Sequence, residues 1–345
     1  MKSITAIDLG SRNVHIAAGI NHKGVLKISE GGCFPLPEGA VKGDRIQNAD
    51  AIAQIIAESF KSLGIKGNKA VITINAAGAI KKDILIPAES KKKKLESMIT
   101  NELRLNYNIQ DYYVTQFKAI EKEDGENNAM LSAFRTVSID ESLVGICREI
   151  LVKAKLKPVA MDVNLNALDK LLSDDVSINE RPIKEGATAL IDFGHHETTV
   201  YIHSSGKPLF FRHISFGAGE IERILAEETF ADIEDMRENK EGGFHLFDEE
   251  EKSQRYFQML RPFFYSLNDE LRNVIKFYNN RYKLVPVDRA YLFGEGSRLN
   301  GLAAYWESSL NVPTELLSSI SGVSLPGAHI EPLGYINCFG ALIRY

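Results

Sequence analysis

Two stretches of this chain end an apolar run in an acid followed closely by glycine. One is Ile4-Thr5-Ala6-Ile7-Asp8-Leu9-Gly10-Ser11; the other is Ala187-Thr188-Ala189-Leu190-Ile191-Asp192-Phe193-Gly194, with Thr198-Thr199 just beyond it. The apolar run predicts a strand, and the glycine a tight turn whose backbone N–H groups face a phosphate while the acid points at the accompanying cation. Glycine at positions 10 and 194 is expected because a side chain there would hold a phosphate away from the backbone. One such corner is commonly just a hairpin turn, but two in matching contexts favour a shared ligand. A third cluster, Tyr291 to Leu302, places Gly294, Gly296 and Ser297 where a strand gives way to a helix. Glycines there admit a flat ligand such as adenine, and a helix N-terminus favours negative charge. The spacing is neither G-x-G-x-x-G nor a G-x-x-x-x-G-K-[ST] loop.

The elements that must position these corners repeat. After the first acid come Val14 to Ile20, a turn at Asn21 to Gly24, and Val25 to Ser29. After the second come Thr199 to His203, a turn at Ser204 to Gly206, and Leu209 to Ile214. A helix is predicted after each meander, from Ile52, Ile55, Ile56, Phe60 and Leu63 in Ala49 to Leu63, and from Ile221, Ile224 and Leu225. Buried strands at Lys69 to Ile74 and Val287 to Phe293 complete two layered α/β units. Between Lys81 and Pro158 the pattern changes to helix (Ser90 to Leu105), two strands (Tyr112 to Ile120, Met130 to Val137) and helix (Asp140 to Lys155). This predicts an inserted α+β module with a mobile hairpin tip at Glu123 to Asn128. The expected domains are 1–80 with 158–185, the insert 81–157, and 186–345. A long buried helix containing Pro262 is expected over Asp248 to Tyr282, after a break at Gly242-Gly243.

The 345 residues are 44% apolar and 25% charged, which excludes whole-chain disorder. Lys plus Arg number 41 against 46 Asp plus Glu, a net charge of −5, so no basic field exists to hold nucleic acid. Cys33, Cys147 and Cys338 are far apart and form no C-x-x-C pair, which predicts neither a disulfide framework nor a structural zinc site, and a reducing compartment. No stretch approaches the roughly 20 apolar residues of a membrane span. A cytoplasmic protein is expected.

The order of these features resembles the actin-like ATPase superfamily, and within it the PilM family of type IV pilus assembly proteins, relatives of the division protein FtsA. Ile84-Leu85-Ile86-Pro87, Phe211-Arg212-His213-Ile214-Ser215-Phe216-Gly217 and the closing Tyr335 to Arg344 carry the same resemblance. It implies an α/β actin-like ATPase fold, with two ribonuclease-H-like domains flanking a nucleotide cleft, an inserted small α+β subdomain, and ATP with Mg²⁺ as ligand. Carried over, Asp8, Gly10, Ser11, Arg12 and Asn13 form the first phosphate loop, and Asp192, Gly194, Thr198 and Thr199 the second. Asp8 and Asp192 face the metal. Gly217 precedes the following helix, and Gly294, Gly296 and Ser297 flank the adenine.

The family's nucleoside-contacting pattern is similar to Ile233-Glu234-Asp235-Met236-Arg237, which gives Glu234 a ribose hydroxyl and Arg237 the base. Asp162 is a candidate to orient attacking water, with the cap of the helix Asn164 to Leu172 as the alternative. Three residues depart from the family pattern. His195 and His196 replace small residues, and Glu295 replaces a glycine, where its carboxylate would repel phosphates unless it points outward.

The function implied is an ATP-binding adaptor with at most weak ATPase activity. It would recruit the N-terminal cytoplasmic peptide of a PilN-like bitopic protein beside the insert, and so lie at the inner membrane through that partner. A small-molecule kinase of the same superfamily, or a self-associating FtsA-like filament protein, are the alternatives.

Overall fold

The computed structural model describes residues 3–43, 45–89, 91–120, 131–172, 175–184, 186–205, 209–241, 246–247 and 250–344. The expected hairpin tip at 123–128 and the glycine pair at 242–243 lie outside them.

Runs such as Ala6, Ile7 and Leu9, or Ala189, Leu190 and Ile191, are almost entirely buried, as central strands covered on both faces require. They organise two sheets of corresponding order. In the first, the strands run Lys157–Val163, Lys69–Ile74, Ile4–Leu9, Asn13–His22, Val25–Pro35 and Val323–Ser324. In the second they run Thr314–Leu316, Val287–Phe293, Ala187–Phe193, Thr198–Ser204 and Phe210–Ile214. The acid-bearing strand of each sheet pairs antiparallel with the strand that follows it and parallel with the crossover strand. The repeat expected from the sequence is therefore a repeat of topology, and it puts both Asp-Gly corners at the same end of equivalent central strands.

Helices close the layers. Ala49–Ser62 starts at Asn48, whose side chain accepts from the Ala51 N–H at 3.0 Å, and buries Ile52, Ala53, Ile56 and Phe60 in the first core. The 31-residue helix Glu251–Arg281 contains Pro262 and buries Leu260, Phe264, Leu267, Leu271 and Tyr278 in the second core. No helix among the described residues is long and apolar enough to cross a membrane.

The insert is a three-stranded antiparallel sheet, Ile80–Pro87, Leu131–Asp140 and Tyr113–Ile120, with Leu131–Asp140 in the middle, over a small core of Ile84, Ile86, Ile99, Leu103, Ile109 and Phe134. Ionic contacts tie its base to the first lobe: Arg135 grips Asp83 at 2.8 Å and Asp169 at 3.1 Å, and Lys81 meets Asp169 at 2.6 Å.

Two of the expected domain boundaries differ from this arrangement. The helix Glu141–Lys153, placed in the insert by order along the chain, sends Leu143, Cys147, Ile150 and Leu151 into the first-lobe core. The end of the chain, placed in the second domain, also belongs to the first lobe. Val323–Ser324 pairs parallel with Val25–Pro35, and the helix Ile336–Leu342 is buried in the first-lobe core, so close to Ala167 that a Cβ on Gly340 would collide with the Ala167 carbonyl. Burial of an apolar run drives both outcomes.

Candidate functional site

The two corners are built alike. The Gly10 N–H donates to the Asn13 carbonyl and the Gly194 N–H to the Glu197 carbonyl, each at 3.0 Å. A Cβ at position 10 would stand 2.8 Å from the Asn13 oxygen, and one at position 194 would stand 3.0 Å from the Glu197 oxygen. Glycine is thus required first by closure of each turn, and clearance for a ligand follows from that.

Between the corners lies a cleft of about 100 Å³. Of the residues expected there, Asp8, Gly10, Ser11, Arg12, Asp192, Gly194, Thr199 and Gly294 line it, together with His195, His196 and Glu295. Asn13 reaches across it to Glu295. Others support the walls. Thr198 is buried and donates to the Phe216 carbonyl at 2.6 Å. A Cβ on Gly217 would collide with the His195 carbonyl, and one on Gly296 would lie 2.5 Å from the Phe193 ring. Ser297 is buried and donates to the Gly294 carbonyl at 2.6 Å. Gly294, at φ +86°, takes a left-handed conformation, and any side chain there would meet the Asp192 carboxylate.

The electrostatics of the floor are dominated by acids. Asp8 is buried; Asn337 donates to its Oδ2 at 3.0 Å, while its Oδ1 is buried and without a hydrogen-bond partner. Desolvation pushes the Asp8 carboxyl up, opposed chiefly by His15. Asp192 keeps some surface on the cleft but is hemmed in by protein. Desolvation, then the charges of Asp8, Glu197 and Glu295, push its carboxyl well above the ordinary carboxylate range. Two all-oxygen side chains, one with an unsatisfied oxygen, suit a hard divalent cation such as Mg²⁺.

Several side chains span the cleft. Asn13 Nδ2 donates to Glu295 Oε1 at 2.6 Å, Arg12 lies 3.6 Å from Glu234, and Asn75 donates to Thr199 Oγ1 at 3.2 Å and to Glu197. Glu295 therefore points inward, toward the first corner.

Three expected site residues are engaged elsewhere. Asp162 is buried and does not line the cleft: its Oδ2 pairs with Lys170 at 2.6 Å, and its Oδ1 accepts from the Val163 N–H and from Asn166. Both oxygens are occupied in holding the start of the helix Asn164–Leu171 and, through Lys170, the Ile343 carbonyl. Nor is it the cap weighed as the alternative: Val163 occupies the N-cap, without a side-chain cap bond, and Asp162 braces the segment just before it. Arg237 is buried between Glu222, at 3.2 Å, and Glu234, so it presents no face to a base. Glu234 is more than half exposed and bridges to Arg12.

Sequence reasoning missed His15, Asn75, Asn164, Glu197 and Asn337, all of which line the cleft. His15 was within reach, because it stands directly opposite Asp8 in the meander. Asn75 follows the last residue of the crossover strand, the position that topology brings beside the corner.

Known proteins place this architecture. The family described as type IV pilus assembly protein PilM matches residues 6–332. The solved PilM-PilN type IV pilus biogenesis complex is similar over 98% of this chain and 96% of that chain, with TM-score 0.76 and 20% identity. The ethanolamine utilization protein EutJ from Carboxydothermus hydrogenoformans is similar over 99% and 89%, with TM-score 0.58 and 14% identity. MreB5 of Spiroplasma citri bound to ADP is similar over 92% of each chain, with TM-score 0.50 and 11% identity. At these identities the structures show a shared actin-like fold. Among curated proteins no sequence matches the chain.

Proposed function

Because this chain belongs to the PilM family of type IV pilus assembly proteins, we propose that it serves pilus assembly as an ATP-binding adaptor, its insert recruiting the N-terminal cytoplasmic peptide of a PilN-like membrane protein. The observation that carries nucleotide binding is the pair of equivalent corners closing one cleft, with Asp8 and Asp192 on its floor. Asp8 and Asp192 would hold Mg²⁺ through its waters, and the metal would offset the charge of the phosphates. The chain's own contribution is positional: the backbone of 11–12 and 195–196 would offer N–H groups and Arg12 a cation, while Asn337 orients Asp8 and Asn75 orients Thr199.

Asp162 is bound by Lys170 and so is not free to activate water. Membership of a pilus assembly family supports an output that is an assembly, with slow or no turnover. Partner binding draws support from the family and from the PilM-PilN complex, which shares this fold. Attachment to the inner membrane would then come through the partner.

The test titrates Mg²⁺-ATP and a synthetic PilN-like N-terminal peptide, separately and together, while following phosphate release and sedimentation. Saturable binding of both with little phosphate release is expected. Turnover that requires a small hydroxylated substrate would replace the adaptor with a kinase, and ATP-dependent pelleting would replace it with a filament protein.

A further inference from the structure

We propose that His15, Cys33 and Glu295 form a binding site for a zinc-class divalent cation at the rim of the cleft. The register of the first sheet puts Asp8 opposite His15, and His15 opposite Cys33. Directly opposed residues project from the same face, so these three form one row across three strands. Glu295 arrives from the second lobe, at the turn following the strand Val287–Phe293. Its Oε1 lies 3.9 Å from His15 Nε2, and one ligand atom from each of His15, Cys33 and Glu295 falls within 4.8 Å of the other two. Tetrahedral zinc, with bonds of about 2.0–2.3 Å, needs ligand atoms about 3.3–3.8 Å apart, so closure takes side-chain movement of about 1 Å.

The surroundings fit a bound ion. His15 is buried and held edge-on by the Tyr335 ring at 5.2 Å, which fixes one ligand in advance. Glu295 is partly exposed and Cys33 is exposed, which provides entry from solvent and room for water as a fourth ligand. Of the three cysteines, Cys147 and Cys338 are buried, leaving Cys33 as the accessible thiol. Imidazole and thiolate select a borderline or soft ion and discriminate against Mg²⁺, whereas the all-oxygen pair Asp8 and Asp192 selects the other way. The two sites are thus adjacent and chemically distinct.

Two ligands come from the first lobe and one from the second. An ion here links the lobes and replaces the Asn13–Glu295 hydrogen bond as the contact holding the rim closed. The widely separated cysteines carry no fixed-spacing motif of a structural zinc site. The register of paired strands makes the juxtaposition instead. Cation binding at these three side chains does not depend on nucleotide binding.

The test is a Co²⁺ titration of the reduced full-length protein. A thiolate-to-cobalt charge-transfer band saturating at one equivalent is expected, displaced by Zn²⁺ and unaffected by excess Mg²⁺. Cys33→Ser, which alters an exposed side chain and should leave the metal-free Tm unchanged, is expected to abolish the band. Glu295→Gln should weaken Zn²⁺ affinity about tenfold or more in competition with a chromophoric chelator. Absence of the band in the unmodified protein, its survival in Cys33→Ser, or undiminished Zn²⁺ affinity in both variants would overturn the proposal.

Discussion

Asp192→Asn offers the sharpest test of the acidic cleft, because it should act in opposite directions on the empty and the ligated protein. The Asp192 carboxyl is pushed upward by desolvation and by Asp8, Glu197 and Glu295, so its charge opposes folding. Asparagine keeps the shape and removes the charge. Relief of a poorly compensated acceptor is worth about 2 kcal/mol, and at about 1.4 °C per kcal/mol for a chain of 345 residues the metal-free Tm should rise by about 3 °C at neutral pH.

The sign with pH follows from the direction of the shift. An acid whose folded-state pKa is raised binds its proton more tightly when folded. Its presence therefore costs least at low pH, and the native state loses stability as pH rises from the ordinary carboxylate range toward the raised value. The variant should flatten that decline. Ligand binding should change the other way: saturation at about 100 times Kd contributes about 2.7 kcal/mol in the unmodified protein, and this gain should largely vanish in the variant. Scanning calorimetry from acid to neutral pH, with and without Mg²⁺-ATP, reads both effects. A variant that melts lower than the parent and keeps its full Mg²⁺-ATP stabilisation would refute the assignment of Asp192 as a strained metal-facing acid.

Other substitutions separate the cleft from its supports. Asp162→Asn leaves Lys170 buried without its counter-charge, so urea denaturation should show a loss of about 3 kcal/mol while Mg²⁺-ATP affinity, measured by calorimetry, is retained. Arg237→Met strands Glu222, only 2% exposed, and should cost about 2–3 kcal/mol in the same denaturation assay without altering preference between ATP and GTP in competition binding. Gly294→Ala forces a side chain onto the Asp192 carboxylate from a left-handed backbone. A loss of about 1–2 kcal/mol on denaturation, together with weakened Mg²⁺-ATP binding, is expected.

What could be read from the sequence was what is local. Ile4 to Gly10 and Ala187 to Gly194 carry strand, acid and turn within eight residues or fewer, and the matching turn bonds of Gly10 and Gly194 bear out their equivalence. The helix with Pro262 was visible for the same reason, since its apolar residues step along a single face. The destination of an apolar segment was not visible. Ile336–Leu342 would satisfy either core by composition, and only the close approach of Gly340 to Ala167 and the strand Val323–Ser324 show that the chain has crossed back. Cys147, Ile150 and Leu151 raise the same ambiguity for the helix Glu141–Lys153. Glu295 marks the limit most clearly. Its inward orientation is set by Asn13, 282 positions away in the chain, and no pattern around residue 295 encodes that contact.

The cross-cleft contacts share a logic that bears on how the site is used. Glu295 accepts from the Asn13 amide and Glu197 from the Asn75 amide, while Glu234 pairs with the Arg12 guanidinium at 3.6 Å. Every acceptor in this set comes from the second lobe and every donor from the first, so second-lobe carboxylates occupy donors that an anionic ligand would need. A cleft of about 100 Å³ is also smaller than the roughly 300–1,000 Å³ of ordinary ligand sites. A nucleotide bound as proposed would have to part the lobes and take these donors from the carboxylates. A ligand moves that equilibrium only by its differential affinity for the open form, and its apparent affinity falls by the fraction of molecules that are closed. Were Mg²⁺-nucleotide to bind as proposed, the polar bridges would act as an internal competitor, and Mg²⁺ held by Asp8 and Asp192 would supply the charge that lets phosphates replace carboxylates among the same donors.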